Sequence, residues 1–270
     1  MLILPKLSET RPEMLVVFND TQLVRNCDLE AFGAFIKFLE RYKDDITHIV
    51  ANGDILDMEQ ANRFGYTEDM AQTMADEIAA GKWLFSYLSY LLPNAEKVLV
   101  QGNHEARWNN LIANQTNGIA AWIKTYEEQF HFSELRWRSI PYGRGNYYKW
   151  HDRIFYHGSR AAGKGNNAKS ELDDAKYSTT TGHTNRNEYW QQRTVLGETL
   201  SSYAHGGFSK DNLGYIKKAN TGWNQGFGVY YWHPEVGEQV YSVELHHGNP
   251  SYIFGGEIFS GKGWKLPLNL

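Results

Sequence analysis

An α/β fold around a largely parallel sheet is the class this sequence predicts, and three observations predict it. Short apolar runs alternate with stretches of helical spacing through the first part of the chain. The runs are continuous, as in strands covered on both faces. Each run ends in a polar cluster, and in open α/β sheets ligands sit off the carboxyl ends of the strands.

The elements follow in order. Residues 1–12 read as an irregular arm. Met14-Leu15-Val16-Val17-Phe18 is a buried strand ending at Asn19-Asp20. Residues 28–43 place Leu29, Phe32, Phe35, Ile36 and Leu39 on one helical side. Ile46 to Ala51 is a second strand, ending at Asn52-Gly53-Asp54. Residues 67–92 have a long helical pattern, with a break expected near Gly81. Lys97 to Val100 is a third strand, ending at Gly102-Asn103-His104-Glu105. A strand–helix rhythm of this kind builds a parallel sheet.

The second half is more aromatic. Arg136 to Ile140, Tyr147 to Trp150 and Arg153 to Tyr156 read as strands. Residues 159–170 form a polar loop, with a short helix expected over 170–177. Ser178 to Thr181 is a Thr-rich strand leading to Gly182-His183. Gly226 to Trp232 and Gln239 to Leu245 alternate like a hairpin. No repeat or low-complexity linker divides the chain, so residues 1–270 are expected to form one domain.

Composition narrows the function classes. A net charge of −4 gives no global basic field for nucleic acid. Cys27 is the one cysteine, so an internal disulfide and a CxxC metal knuckle are both excluded. The N-terminal MLILPKLSETRPEM has only a short apolar run before charge and Pro, and no leader is expected. No stretch approaches the roughly 18 apolar residues that span a bilayer. A cytoplasmic protein with no membrane partner is expected, and the sequence carries no signal for an oligomeric state.

The polar clusters hold the chemistry. They are Asp20-Thr21-Gln22, Gly53-Asp54-Ile55-Leu56-Asp57, Gly102-Asn103-His104-Glu105, Gly182-His183-Thr184-Asn185, and His157-Gly158 after an apolar run. Carboxylates, carboxamide oxygens and imidazoles on separate strand ends can converge on one point. Such a mixed oxygen and nitrogen set suits divalent transition ions. Two ions about 3.5–4 Å apart, bridged by a carboxylate, can clamp the oxygens of an in-line phosphoryl displacement.

Asp20-x-Gln22, Gly53-Asp54-x-x-Asp57, Gly102-Asn103-His104-Glu105, His157 and Gly182-His183-x-Asn185 resemble, in this order, the signature of calcineurin-like metallophosphoesterases. That pattern is DxH, GDxxD, GNH(D/E), H and GHxH. The resemblance spans residues 14–185, and Trp223-Asn224-Gln225-Gly226-Phe227-Gly228 looks like a segment of phage-type members. It implies a four-layer αββα sandwich, two packed sheets flanked by helices. It implies metal-assisted phosphoester hydrolysis with two divalent ions and a metal-bridging hydroxide as nucleophile. Asp54 would bridge the ions. Asp20, Gln22 and Asn185 would serve the first ion, and Asn103, His157 and His183 the second. His104 would protonate the leaving oxygen or steady the transition state, and Asp57 would orient His104. Arg107 stands where related protein phosphatases also place an Arg. It could grip a phosphate oxygen or pair with an acidic neighbour.

Two positions depart from the pattern. Gln22 and Asn185 stand where the family usually has His. Gln at the first of them also occurs in manganese-dependent ADP-ribose/CDP-alcohol diphosphatases. A carboxamide oxygen is a hard, neutral donor, so Mn2+ is the expected cofactor, with Mg2+, Fe and Zn2+ as alternatives. The expected substrate is a phosphodiester in a nucleic acid or nucleotide, on account of the phage-like segment and of Arg160, Lys164 and Lys169 in the loop after His157. A phosphomonoesterase or protein phosphatase is one alternative; a metal-depleted, inactive binding module is another. His205 is a further pocket candidate. His48 and His151 read as structural, and His246 and His247 as a solvated strand end. Tyr142, Tyr147, Tyr148 and Trp150 read as aromatic core, or as a platform for a base.

Overall fold

Two β-sheets stack face to face in this computed structural model, which describes residues 10–58, 68–114, 122–159, 165–210, 222–246 and 248–268. In the first sheet Glu13–Phe18 (β1), His48–Ala51 (β2), Glu96–Val100 (β3) and Trp137–Ile140 (β4) run parallel. Gln225–His233 (β10) and Gly237–Leu245 (β11) join it antiparallel on the β1 side, giving the order β11-β10-β1-β2-β3-β4. The second sheet takes Tyr148–Trp150 (β5), Arg153–Phe155 (β6), Ser178–Thr181 (β7), Glu188–Arg193 (β8) and Thr199–Ala204 (β9) in the order β5-β6-β7-β9-β8. Its inner strands β6, β7 and β9 are parallel.

Strand geometry explains the unbroken apolar runs. Successive side chains of a strand point to opposite faces. In β1, Met14, Val16 and Phe18 enter one core while Leu15 and Val17 enter another. The first core lies under the helices Leu29–Tyr42 (α1) and Glu68–Leu91 (α2), and it holds Phe32, Phe35, Phe38, Phe85 and Leu88. The second core lies between the sheets. There Leu15, Val17, Val50, Val98 and Val100 meet Tyr148, Trp150 and Phe155. The helix Asn167–Ala175 (α6) packs on β7, β8 and β9 from outside. The layers are therefore helices, sheet, sheet, helix. Arg153, wholly buried, ties the sheets through both oxygens of Glu238, each at 2.7 Å.

Local signals set the remaining elements. Asp28 caps α1 by accepting from the Ala31 N–H at 3.1 Å. Between β3 and β4 come Asn103–Ala113 (α3), Tyr126–Gln129 (α4) and Phe132–Leu135 (α5). The hairpin Ser251–Phe254 (β12) and Glu257–Ser260 (β13) lays Tyr252 and Phe259 against α1. Among the described residues no helix is long and apolar enough to cross a membrane.

The structure corrects several expectations. The helix expected over 170–177 lies over Asn167–Ala175. Strands β8 and β9 were not legible as strands: β8, Glu-Tyr-Trp-Gln-Gln-Arg, is an edge strand that is largely exposed, so no apolar alternation marks it. Tyr148 and Trp150 are buried between the sheets and offer no ring to a base. His205, a pocket candidate in the sequence, is buried and bonded to Tyr230 Oη at 2.8 Å. Burial and the cation of Arg153 lower its pKa to about 3.

Gly81 does not break α2, which runs unbroken from Glu68 to Leu91. The reason for glycine is space. A Cβ there would fall 2.6 Å from Phe130 Cε1 and 2.9 Å from Leu56 Cδ1, both in the core. Glycine in a helix normally costs about 1 kcal/mol relative to alanine, but this close approach outweighs that. Gly81→Leu is expected to destabilise the protein by about 1–3 kcal/mol through overpacking. A urea unfolding midpoint equal to wild type would refute this account.

Candidate metal centre

Parallel strands bring their carboxyl ends to one edge, and the five polar clusters sit there. Asp20 and Gln22 follow β1, Asp54 follows β2, and Asn103 with His104 opens α3 after β3. His157 follows β6 and His183 follows β7. Backbone bonds lock the turns together. The Asp20 N–H donates to the Gly53 carbonyl at 2.9 Å, and the Gln22 N–H to the Asp54 carbonyl at 3.1 Å. The two sheets meet here as well, because the His183 N–H donates to Asp20 Oδ2 at 2.8 Å.

One ligand-type atom each from Asp54, His157 and His183 lies within 4.8 Å of the others. His157 Nε2 is 3.2 Å from Asp54 Oδ2. Its Nδ1 bonds the Asn52 carbonyl at 2.8 Å, which leaves Nε2 turned toward Asp54. Two glycines make the approach possible. A Cβ on Gly102 would collide with the Asp54 carboxylate, and one on Gly53, whose φ is +88°, would collide with the His157 ring.

Two further features mark the cluster. Asp20, Gln22, Asp54, His183 and Asn185 have φ of 46°, 43°, 53°, 68° and 51°. Non-glycine residues rarely take left-handed backbone, and strain of this kind gathers at functional sites. Asp20 Oδ1, Gln22 Oε1, Asn103 Oδ1 and Asn185 Oδ1 are shielded from solvent and accept no hydrogen bond among the described residues. Buried acceptors normally have partners. Four such oxygens beside two imidazoles form a donor set that fits divalent cations.

The electrostatics point the same way. Burial tends to raise the Asp54 carboxyl, but His157 and His104 outweigh it and hold it below the usual range. Burial, with Asp54 beside it, pushes Asp20 up to about 7 against the pull of His157. Burial tends to lower the pKa of His157, yet Asp54 and Asp20 bring it to about 10. Burial and the His157 charge lower His183 to about 4, so its ring is neutral at neutral pH.

His104 stands beside this cluster. Its Nε2 is 3.5 Å from Asp54 Oδ2, and its Nδ1 is 3.2 Å from Asp57 Oδ1. Burial disfavours the imidazolium, but the two carboxylates outweigh it and raise the pKa. Asp57 is held in turn. Asn26 Nδ2 donates to its Oδ2, and Arg107 Nη1 donates to its backbone carbonyl at 2.8 Å. Arg107 Nη1 also lies 3.9 Å from Asp57 Oδ1. Asn185 is buried, and its carbonyl accepts the Asn224 N–H at 2.8 Å, which seats the Trp223–Gly228 segment against the site. Lys169 is on α6 and paired with Asp173 at 2.6 Å, while Arg160 and Lys164 lie outside the described residues. Tyr142 packs edge-on against His157, ring centroids 6.2 Å apart.

Sequence reasoning missed Glu105, Asn26 and Asn19. The motif Gly102-Asn103-His104-Glu105 gives Glu105 no ligand role, yet the structure gives it a role of its own. Its fully buried carboxylate accepts from the Asp54 N–H at 2.9 Å, the Ile55 N–H at 2.8 Å and the Gly102 N–H at 2.8 Å. The signal was its place, three residues after the helix cap, where a Glu reaches back to the cap N–H.

No family model matches the chain, and no curated protein sequence matches it. Among solved structures it is similar to vacuolar protein sorting 29 from Cryptosporidium parvum, with 10% identity over 92% of this chain and 95% of that one and a TM-score of 0.44. It is also similar to nuclease MPE from Pseudomonas putida, with 11% identity over 80% and 83% and a TM-score of 0.37. A third is Vps29 from Chaetomium thermophilum, with 8% identity over 86% and 97% and a TM-score of 0.35. Likeness of this degree assigns no activity to the chain.

Glu105→Gln would turn an amide donor toward one of the backbone N–H groups. A buried group left unsatisfied costs about 1–3 kcal/mol, and a loss of that size is expected in urea unfolding. Amide hydrogen exchange at Asp54 and Ile55 should quicken with it. Wild-type protection at both amides would show that the carboxylate does not hold the turn.

Proposed function

We propose that the chain is a metal-dependent phosphoesterase that hydrolyses a phosphodiester in a nucleic acid or nucleotide. One observation carries the reading. The residues that resemble the calcineurin-like signature bring unpartnered donor atoms and strained backbone to one point at the strand ends. In this reading Asp54 would serve both of two ions, Asp20, Gln22 and Asn185 would hold the first, and Asn103, His157 and His183 the second. When bound, the ions supply Lewis-acid charge at the phosphoryl oxygens and a nucleophile from water at neutral pH.

The chain's own groups do the rest. His104 holds a proton on Nε2, on the Asp54 side of its ring, for the leaving oxygen. Asp57 fixes the ring through Nδ1, and Arg107 and Asn26 fix Asp57. The carboxamides of Gln22 and Asn185 are hard, neutral oxygen donors, which favours Mn2+ or Mg2+ at the first ion. The diester class rests on the resemblance of the Trp223–Gly228 segment to phage-type members, and Asn224 ties that segment to Asn185.

The test compares the Mn2+-reconstituted chain on a chromogenic diester, bis-p-nitrophenyl phosphate, and on the matching monoester. Turnover of the diester at least about tenfold faster is expected. Faster monoester turnover would replace the substrate class, and no turnover of either would leave a binding module. His104→Ala is expected to lower kcat by about 10²–10⁴-fold, the usual worth of a positioned proton donor, with metal content unchanged. Loss of bound metal in that variant would make His104 a ligand instead.

A further inference from the structure

We propose that Asn19 is a positioning residue for the metal centre and acts through Asp20. The proposal rests on the metal-dependent reading above. Asn19 is fully buried at the end of β1. Its Nδ2 donates to Asp20 Oδ2 at 2.7 Å and to the His205 carbonyl at 2.9 Å. The His183 N–H reaches the same Oδ2 at 2.8 Å. That oxygen therefore takes two donors, while Asp20 Oδ1 is shielded and takes none among the described residues. A carboxylate tied in this way offers a cation one oxygen in one direction.

The geometry calls for an amide. One nitrogen with two hydrogens spans from Asp20, at the end of the first sheet, to the His205 backbone, at the end of β9 in the second. A serine has a single hydrogen, and an aspartate would set carboxylate against carboxylate. The anchor is fixed as well. The His205 ring bonds Tyr230 Oη at 2.8 Å and Ser242 Oγ at 3.3 Å. Space on the other side is closed: a Cβ on Gly182 would lie 2.7 Å from Asp20 Oδ2 and 2.8 Å from Asn19 Cγ. Asp20 matters more here than a single ligand usually would. Gln22 and Asn185 are neutral, so Asp20 is the one anionic donor of the first ion that the second does not share. Loosening it should weaken the first ion and spare the Asp54, His157 and His183 group.

The experiment is a Mn2+ titration of the whole chain, with free Mn2+ read by electron paramagnetic resonance. Wild type, Asn19→Ala and the volume-keeping Asn19→Leu are compared. The weaker Mn2+ equivalent is expected to lose about 10–100-fold in affinity, as other outer supports of metal ligands do, while the tighter equivalent is unchanged. Unchanged affinity at both equivalents overturns the proposal. Equal weakening of both overturns it too, since that marks a general structural role. If neither variant folds, with or without Mn2+, Asn19 is a structural residue and the proposal falls. A wild-type chain that binds no Mn2+ is a separate failure, which removes the metal-dependent reading and this inference with it.

Discussion

The centre depends on one buried carboxylate. Glu105 gathers the N–H groups of Asp54, Ile55 and Gly102 at 2.8–2.9 Å. An anion out of water is costly unless it is hydrogen-bonded, and bonds to a charged acceptor are the strong kind. Burial and the neighbouring Asp54 push its carboxyl upward, against the pull of the Asp54 and Gly102 N–H groups. The bonds join the turn after β2 to the turn after β3. They thereby fix the distance from Asp54 to Asn103 and His104, and the His104 N–H completes the arrangement by donating to Asp54 Oδ1 at 3.0 Å.

Around that bracket the molecule gathers what folding alone disfavours. Asp20, Asp54 and Glu105 are all buried, and several neighbours have left-handed backbone. The two apolar cores on either side of the first sheet supply the stability that tolerates this. A cation bound among these residues would meet the charge and the unpartnered oxygens at once, so donor set and strain point to the same chemistry.

Much of this was legible in the sequence. The runs ending at Phe18, Ala51 and Val100 are buried on both faces, so periodicity found β1, β2 and β3 directly. Asp20, Asp54 and Asn103 stand out because they sit where those runs stop. Contacts that depend on a third dimension were not. Gly81 reads as a breaker until Phe130 is seen beside it. Strand β8 is polar and exposed, and only its pairing with β9 makes it a strand. Lys169 reads as a loop cation until the helix carries it to Asp173. Asn19 looks like a turn residue, and its partner His205 is far away in sequence.

The pairing of β1 with β10 has a consequence for how the chain is made. Met14 lies opposite Tyr231, so the strand that leaves the ribosome early waits for a neighbour that emerges late. Until then one side of β1 presents free backbone groups beside apolar side chains, the kind of edge that pairs with other chains. Contacts so distant along the chain also slow folding. Much of the edge that carries the candidate site belongs to segments synthesised before β10, while the sheet that supports it closes only when the later strands arrive. The open edge of β1 thus persists while the segments between β2 and β10 are being made, the interval in which a chaperone that shields strand edges would act.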